Sequence, residues 1–207
     1  DWCSALMRIA GIRFEADLSA IDPKANYVFM CNHQSFVDIP VAYLALKDYR
    51  LRFVAKESLF SVPIYGKALK HHGHIAIDRS NRRAAMKSMA EAAEKAQDGM
   101  APLIFPEGTR NPEPSDLMDF QIGGMVVALK CALPVVPLVL VNTPRVLPKD
   151  KWIFNNKPVV RLKALPPIDT SGYTLKEREK FRDDVREIMR TEYLKMMQEE
   201  AEREGNG

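Results

Sequence analysis

The stretch Asn26-Tyr27-Val28-Phe29-Met30-Cys31-Asn32-His33-Gln34-Ser35-Phe36-Val37-Asp38-Ile39-Pro40 carries a change of structure within it. Asn26 to Cys31 is a short apolar run after Asp22-Pro23, which reads as a buried strand. Pro40 to Leu46 reads as a helix, and the polar residues between are a strand-to-helix turn. His33 and Asp38, five apart, would lie about 140° apart around a regular helix, so a continuous helix would not pair them. The Ser35-x-x-Asp38 pattern starts the helix near Ser35 and leaves His33 in the turn, free to fold back onto Asp38. Spacing alone leaves two readings open. Either Asp38 orients His33 as a general base, fixing its tautomer and stabilising the imidazolium, or Asp38 is a capping acid and His33 a loop residue.

The same alternation continues outward. Leu51–Ala55, Ile75–Ile77, Pro102–Phe105 and Val135–Val141 read as strands, and Val159–Leu165 as an edge strand carrying Arg161 and Lys163. Arg82–Gln97, closed by Gly99, and Gly124–Cys131 read as helices. Thr174-x-x-Glu177 is a capping box that opens a long charged helix with Phe181, Val185, Ile188 and Met189 on its apolar side. This order predicts an α/β fold, a mostly parallel central sheet flanked by helices, with chemistry in loops at the carboxyl ends of strands.

Composition narrows the function classes. Thirty Lys and Arg against 27 Asp and Glu give +3, too mild for a nucleic-acid partner. Three cysteines with no Cys-x-x-Cys argue against a disulfide framework or a zinc knuckle, and a reducing compartment follows. The apolar run Leu133–Val141 is far short of the roughly 18 residues that cross a bilayer. There is no Gly-x-Ser-x-Gly elbow and no Walker loop. His71, His72 and His74 lack an acidic or cysteine partner at a metal-binding spacing, so no metal is expected. Cys31 ends an apolar strand and reads as core.

Two further segments carry chemistry. Phe105-Pro106-Glu107-Gly108-Thr109-Arg110 ends a strand; its glycine lets backbone approach an anion, and Arg110 offers a planar fork to phosphate oxygens. Thr109 adds a hydroxyl, and Glu107 accepts from a substrate hydroxyl or holds the arginine. In Gly73-His74-Ile75-Ala76-Ile77-Asp78-Arg79, with Lys56 upstream, Arg79 and Lys56 either complete an anion pocket or are solvated surface charges.

Asn-His-x4-Asp at 32–38, Gly-x-Ile-x-Ile-Asp-Arg at 73–79, Phe-Pro-Glu-Gly-Thr-Arg at 105–110 and Leu133-Pro134-Val135-Val136-Pro137 stand in the order of the glycerolipid acyltransferase family, which this chain resembles from about residue 20 to 145. The resemblance implies a glycerol-3-phosphate acyltransferase-like fold and acylation of 1-acyl-sn-glycerol 3-phosphate by acyl-CoA or acyl carrier protein, without a cofactor. It implies His33 as base, Asp38 as its orienting acid, and Lys56, Arg79, Glu107, Gly108, Thr109 and Arg110 around the substrate phosphate. Glycerol 3-phosphate or another lysolipid, such as a lyso-ornithine lipid, is an alternative acceptor. A non-catalytic module binding lipid or acyl carrier protein is the alternative from another class. The sequence departs from the family at Phe120-Gln121-Ile122-Gly123, where relatives often carry Phe-Lys-Lys-Gly.

The expected organisation is an N-terminal amphipathic segment over 1–19, a catalytic domain over 20–170 and a C-terminal helix over 171–207. Trp2, Ala5, Leu6, Ile9, Ala10 and Arg13 recur near helical spacing, which suits either a membrane interface or a helix packed on the core. The first reading places the enzyme on the cytoplasmic face of a membrane, with a hydrophobic segment upstream of Asp1.

Overall fold

A computed structural model of the chain describes every residue except 1, 64, 79–81, 152–153, 156–157 and 206–207. Seven strands form one sheet: β1 (Phe14–Asp17), β2 (Val28–Cys31), β3 (Arg50–Lys56), β4 (Ile75–Ile77), β5 (Met100–Ile104), β6 (Val135–Val141) and β7 (Val160–Ala164). Their spatial order is β1-β7-β6-β2-β5-β3-β4. Five strands, from β6 across to β4, run parallel. β7 returns antiparallel to β6, and β1 lies parallel to β7. The fold is therefore α/β with a mostly parallel sheet, as the alternating pattern predicts.

Parallel strands covered on both faces need apolar side chains on both faces. In β2, Val28 and Met30 point into one core and Phe29 and Cys31 into the other. β6 does the same, with Val135, Val139 and Val141 on the first face and Val136, Leu138 and Leu140 on the second. The first face is covered by α4 (Arg82–Gln97), α5 (Ile122–Cys131) and α7 (Arg178–Gly205). The second is covered by α1 (Trp2–Ile9) and α2 (Asp38–Ala45). Truncating a central residue such as Leu138 to Ala would cost about 2–5 kcal/mol. Two short helices complete the fold: α3 (Tyr65–His71) after β3, and α6 (Thr143–Val146) directly after β6.

Two elements differ from the sequence reading. Residues 159–165 form β7 with the expected alternation, Val160, Leu162 and Ala164 being buried, but β7 is not an edge. β1 covers it, pairing Phe14 with Val160 through to Asp17 with Lys163. β1 itself is Phe-Glu-Ala-Asp, with Phe14 half-buried and the other three exposed, so it carries no apolar alternation to announce it. In α1, Cys3 and Met7 are buried against the α2 side of the sheet, whereas Ala5, Arg8 and Ile9 are exposed. The side chain of Trp2 lies outside the described residues.

Candidate active site

β2 sits at the centre of the sheet, and the turn leaving its carboxyl end carries Asn32 to Val37. The turn is anchored first by Asn32, fully buried, whose amide bridges both backbone groups of Leu140 on the neighbouring β6. Its Nδ2 donates to the Leu140 carbonyl at 2.9 Å, and its Oδ1 accepts from the Leu140 N–H at 2.7 Å. A side chain has thus extended the ladder beyond the last β2 residue and fixed where His33 begins.

Asp38 is the first residue of α2, where an acid suits the positive end of the helix dipole. It is fully buried. One of its carboxylate oxygens accepts three hydrogen bonds: from His33 Nδ1 at 2.7 Å, the Gln34 N–H at 2.6 Å and the Ser35 N–H at 2.8 Å. Both contacts that spacing left open are present: Asp38 pairs with His33 and also ties the turn. The acid closes the turn and orients the imidazole with one oxygen. Because the carboxylate accepts, Nδ1 carries the proton, and the Nε2 lone pair is left for chemistry. Among the described residues Nε2 makes no hydrogen bond. The imidazole stacks on Phe105 at 4.1 Å between ring centroids, which holds its plane from the β5 side.

The Phe105–Arg110 segment leaves β5, next to β2, and meets the histidine turn directly. Glu107 is 2% exposed and reaches no solvent-facing ligand. One of its oxygens accepts the His33 N–H at 2.7 Å and the other the Met118 N–H at 3.1 Å. Burial pushes its carboxyl up to about 7, against the pull of those two N–H groups and of His33. Glu107 is thus a clasp between the two segments, and its assignment to the substrate phosphate has no support from its position. Gly108 takes φ of 75°, which a side chain would strain, and its N–H closes a turn onto the Phe105 carbonyl at 3.0 Å. Thr109 is exposed. Arg110 lays its guanidinium over the Phe36 ring at 4.0 Å and touches Asp150 at 3.3 Å. The next residue, Asn111, donates its N–H to the His33 carbonyl at 2.7 Å. The structure therefore brings Arg110 to the rim of the histidine turn.

Lys56 is exposed at the carboxyl end of β3, one strand beyond β5. Arg79 lies outside the described residues. The Phe120–Gly123 segment leads into α5; Phe120 is buried and the Gln121 N–H donates to the Pro106 carbonyl at 2.7 Å.

Several residues of the site had no role in the sequence reading. Asn32 stood in the motif without one. Phe105, Asn111, Gln34 and Tyr193 contribute through contacts between segments far apart in the chain. Ser35 is buried and donates its hydroxyl to the Leu147 carbonyl at 2.7 Å, so it is occupied as a strut. Cys31 is fully buried and its thiol is pushed well up by burial and by the charges of Asp38 and Glu107, which leaves it inert as a nucleophile. His74 accepts the Phe53 N–H at 3.0 Å, and burial drives its pKa down to about 4. Among the described residues no three His, Cys, Asp or Glu gather into a metal-binding group.

A buried carboxylate, a histidine with one nitrogen held and one open, and an arginine at the rim lie together at the carboxyl end of a parallel sheet, an arrangement suited to general-base chemistry in an α/β enzyme. A family model described as Acyltransferase matches residues 13–141. The 1-acyl-sn-glycerol-3-phosphate acyltransferase of Helicobacter pylori is 31% identical over 196 residues, covering 93% of this chain and 78% of the relative. The enzyme of that description from Chlamydomonas reinhardtii is 33% identical over 148 residues, 70% of this chain and 44% of that longer protein. The crystal structure of the 1-acyl-sn-glycerophosphate (LPA) acyltransferase PlsC from Thermotoga maritima matches with a TM-score of 0.77 and 26% identity, over 94% of this chain and 76% of that one. The chain belongs to the acyltransferase family.

Proposed function

We propose that this protein transfers a fatty acyl group from an acyl thioester, acyl-CoA or acyl carrier protein, to the free hydroxyl of 1-acyl-sn-glycerol 3-phosphate, forming phosphatidic acid. The observation that carries the chemistry is the 2.7 Å contact from His33 Nδ1 to buried Asp38, which leaves Nε2 as a base. Nε2 takes the acceptor's hydroxyl proton as its oxygen attacks the thioester carbonyl. The new C–O bond forms, the C–S bond breaks, and the imidazolium returns its proton to the departing thiolate. Asp38 stabilises the imidazolium throughout. The base is the protein's own, so the reaction needs no cofactor beyond its two substrates. The relatives' own acceptor, 1-acyl-sn-glycerol 3-phosphate, supports this choice.

Arg110 is the phosphate ligand in this reading. Its side chain is 18% exposed, and its partner Asp150 is 75% exposed, a weak rim pair that a dianionic phosphate can replace. Stacking on Phe36 holds the fork flat in the meantime. Thr109 adds a hydroxyl next in sequence to it, Lys56 stands exposed at the carboxyl end of β3, and Arg79, implied by the resemblance alone, would be a third cation.

The acceptor is a membrane lipid, so the open end of the site faces a membrane. Phe36, Leu59, Val62 and Phe154 are exposed apolar side chains, and each lies in a connection that leaves the carboxyl end of a strand, β2, β3 or β6. No helix among the described residues is long and apolar enough to cross a bilayer. In this reading the described residues meet the membrane through this face and the exposed side of α1, on the cytoplasmic side where thioester donors are made. Flotation with anionic vesicles should fall when Leu59 and Val62 are both changed to Asp; unchanged flotation would move the contact elsewhere.

The central test is release of free thiol from an acyl thioester in the presence of 1-acyl-sn-glycerol 3-phosphate, glycerol 3-phosphate or a lyso-ornithine lipid. Turnover is expected with the first. Turnover with only one of the others would reassign the acceptor, and binding without thiol release would make the protein a non-catalytic module.

A further inference from the structure

The C-terminal helix reaches back to the catalytic turn by two routes, and both end on groups that set the pose of His33. The first route is Tyr193. It is fully buried, and burial pushes its phenol up to about 12, so it keeps its proton. That proton is donated to the Pro114 carbonyl. With its single hydrogen spent, the hydroxyl can only accept from Gln34, so Gln34 must present its amide NH2, and its Nε2 donates at 2.6 Å. Gln34, 1% exposed, is in turn one of the two backbone donors that tie Asp38.

The second route is the loop at 111–119. Arg186, Arg190 and Tyr193 stand four and three residues apart, which puts them on one face of α7. Arg186 donates to the Leu117 carbonyl at 2.9 Å and the Met118 carbonyl at 3.0 Å. Arg190 forks onto Asp116, with its closest contact at 2.7 Å. Tyr193 holds Pro114. The loop so gripped has two outputs. Asn111 N–H holds the His33 carbonyl, and Met118 N–H holds Glu107, whose other oxygen holds the His33 N–H. Both peptide groups of the base are therefore fixed by a loop that α7 clamps.

We infer that Tyr193 is a positioning residue for His33, acting through Gln34 and Pro114, with Arg190 and Asp116 as the outer half of the same clasp. The inference rests on the reading of His33 as the base. Gln34, Pro114 and Tyr193 line a cavity beside the turn but have no part in the proposed proton transfer, so loss of the clasp should lower kcat and spare both Michaelis constants. A roughly 1 Å misplacement of a catalytic group costs on the order of a hundredfold, and loosening one strut of several should cost about tenfold.

The test compares the wild-type chain with Tyr193→Phe, Arg190→Gln and Val185→Ala, each assayed well below its own melting temperature. Tyr193→Phe keeps the buried ring and removes only the hydroxyl. Arg190→Gln acts at a half-exposed pair and leaves the core alone. Val185→Ala weakens α7 in its core, where Val185 is fully buried, and removes none of the hydrogen bonds that grip the loop. Amide hydrogen exchange at His33, Gln34 and Ser35 is measured on the same four proteins.

The expected result is a kcat about tenfold lower for Tyr193→Phe and about threefold lower for Arg190→Gln, with both Michaelis constants within about twofold. Exchange at the three amides should be faster in both and unchanged in Val185→Ala. A Tyr193→Phe kcat within twofold of wild type would overturn the inference, whatever its melting temperature, and so would a fall of equal size in Val185→Ala. A raised Michaelis constant for the acceptor with kcat kept would also overturn it, by making the loop a substrate contact. If the wild type turns over none of the acceptors, the functional reading fails by itself. The exchange arm then decides the clasp: faster exchange in Tyr193→Phe supports it, and unchanged exchange overturns it.

Discussion

Glu107 and Arg110 are three residues apart in one short segment and face opposite ways. Glu107 is 2% exposed and spends both oxygens on backbone N–H groups. Arg110 lies over the Phe36 ring, and among the described residues its ion-pair partner is exposed Asp150. The first holds the protein to itself; the second is poised to exchange a weak partner for a stronger one. Two charged residues in one motif therefore do different work, and burial separates the roles where residue type does not. His33 stands at the junction, its backbone tied to the buried side and its Nε2 turned to the open side. A change on one side should therefore leave the other side's behaviour intact.

The largest effect belongs to the junction. His33→Ala should lower kcat by roughly 10²–10⁴-fold while the chain still folds, because a positioned general base is worth about that much. Near wild-type turnover in a folded His33→Ala protein would remove the mechanism. Asp38→Asn should be both slow and less stable, since one carboxylate oxygen now serves His33, Gln34 and Ser35 together. An amide can turn its carbonyl oxygen to all three donors, but a neutral oxygen accepts them more weakly than a carboxylate and brings no charge to the imidazolium.

On the buried side, Glu107→Gln should cost about 1–3 kcal/mol of stability, because one backbone N–H would meet an NH2 instead of an acceptor. The pH dependence is a second readout. Folding raises the Glu107 pKa from 4.5 to about 7, so the folded state favours its protonated form. Its contribution is fully present below about pH 4.5 and is lost as pH rises through 7, by about 3 kcal/mol. Urea midpoints of the wild type should therefore fall between pH 5 and 7.5 more steeply than those of Glu107→Gln. Parallel slopes would show that Glu107 does not titrate in that window.

Much of this arrangement was legible in the sequence, for physical reasons that also mark where legibility ends. β2 and β6 are apolar on both faces because both faces are covered, so each appears as a continuous run. Thr174 and Glu177 form the expected capping box because a cap is local. β1 was invisible because its stability comes from backbone pairing with β7, and Glu15 and Asp17 carry no sign of that. The β7 alternation was read correctly, yet its edge position was not, since the strand that covers it is polar. The His33–Asp38 pair was legible as a motif, but Glu107 was assigned to substrate because nothing local marks a carboxylate as buried. Tyr193 lies 159 residues from Gln34, and only the fold brings them together.

On the open side, Arg110→Ala should raise the Michaelis constant for the phosphorylated acceptor roughly ten- to a hundredfold and leave that for the thioester within about twofold, the difference being a charge-assisted contact of about 1.5–3 kcal/mol. Arg110→Lys should recover only part of this, because an ammonium lacks the planar fork and the stacking surface for Phe36. The defect should shrink as salt is added to the wild-type comparison, since a rim charge is screened. Equal effects on both substrates would make Arg110 structural, and would put it on Glu107's side of the division.

The smallest effect is expected at Thr109, which is exposed between the clasp residue and the arginine. Thr109→Val keeps the β-branched shape and removes only the hydroxyl, so the backbone turn at Gly108 should be undisturbed and the melting temperature unchanged. A neutral hydrogen bond is worth about 0.5–1.5 kcal/mol net, which corresponds to roughly a two- to tenfold rise in the acceptor Michaelis constant. Unlike the arginine effect, this one should not depend on ionic strength, because no charge is lost. It should also add to Arg110→Lys if the two groups hold different phosphate oxygens, and fall short of additivity if they share one. A Thr109→Val enzyme indistinguishable from wild type on both substrates would leave Arg110, with Lys56 and Arg79, as the sole phosphate contacts. A Thr109→Val enzyme with reduced kcat and an unchanged acceptor constant would instead place this hydroxyl with the groups that hold His33.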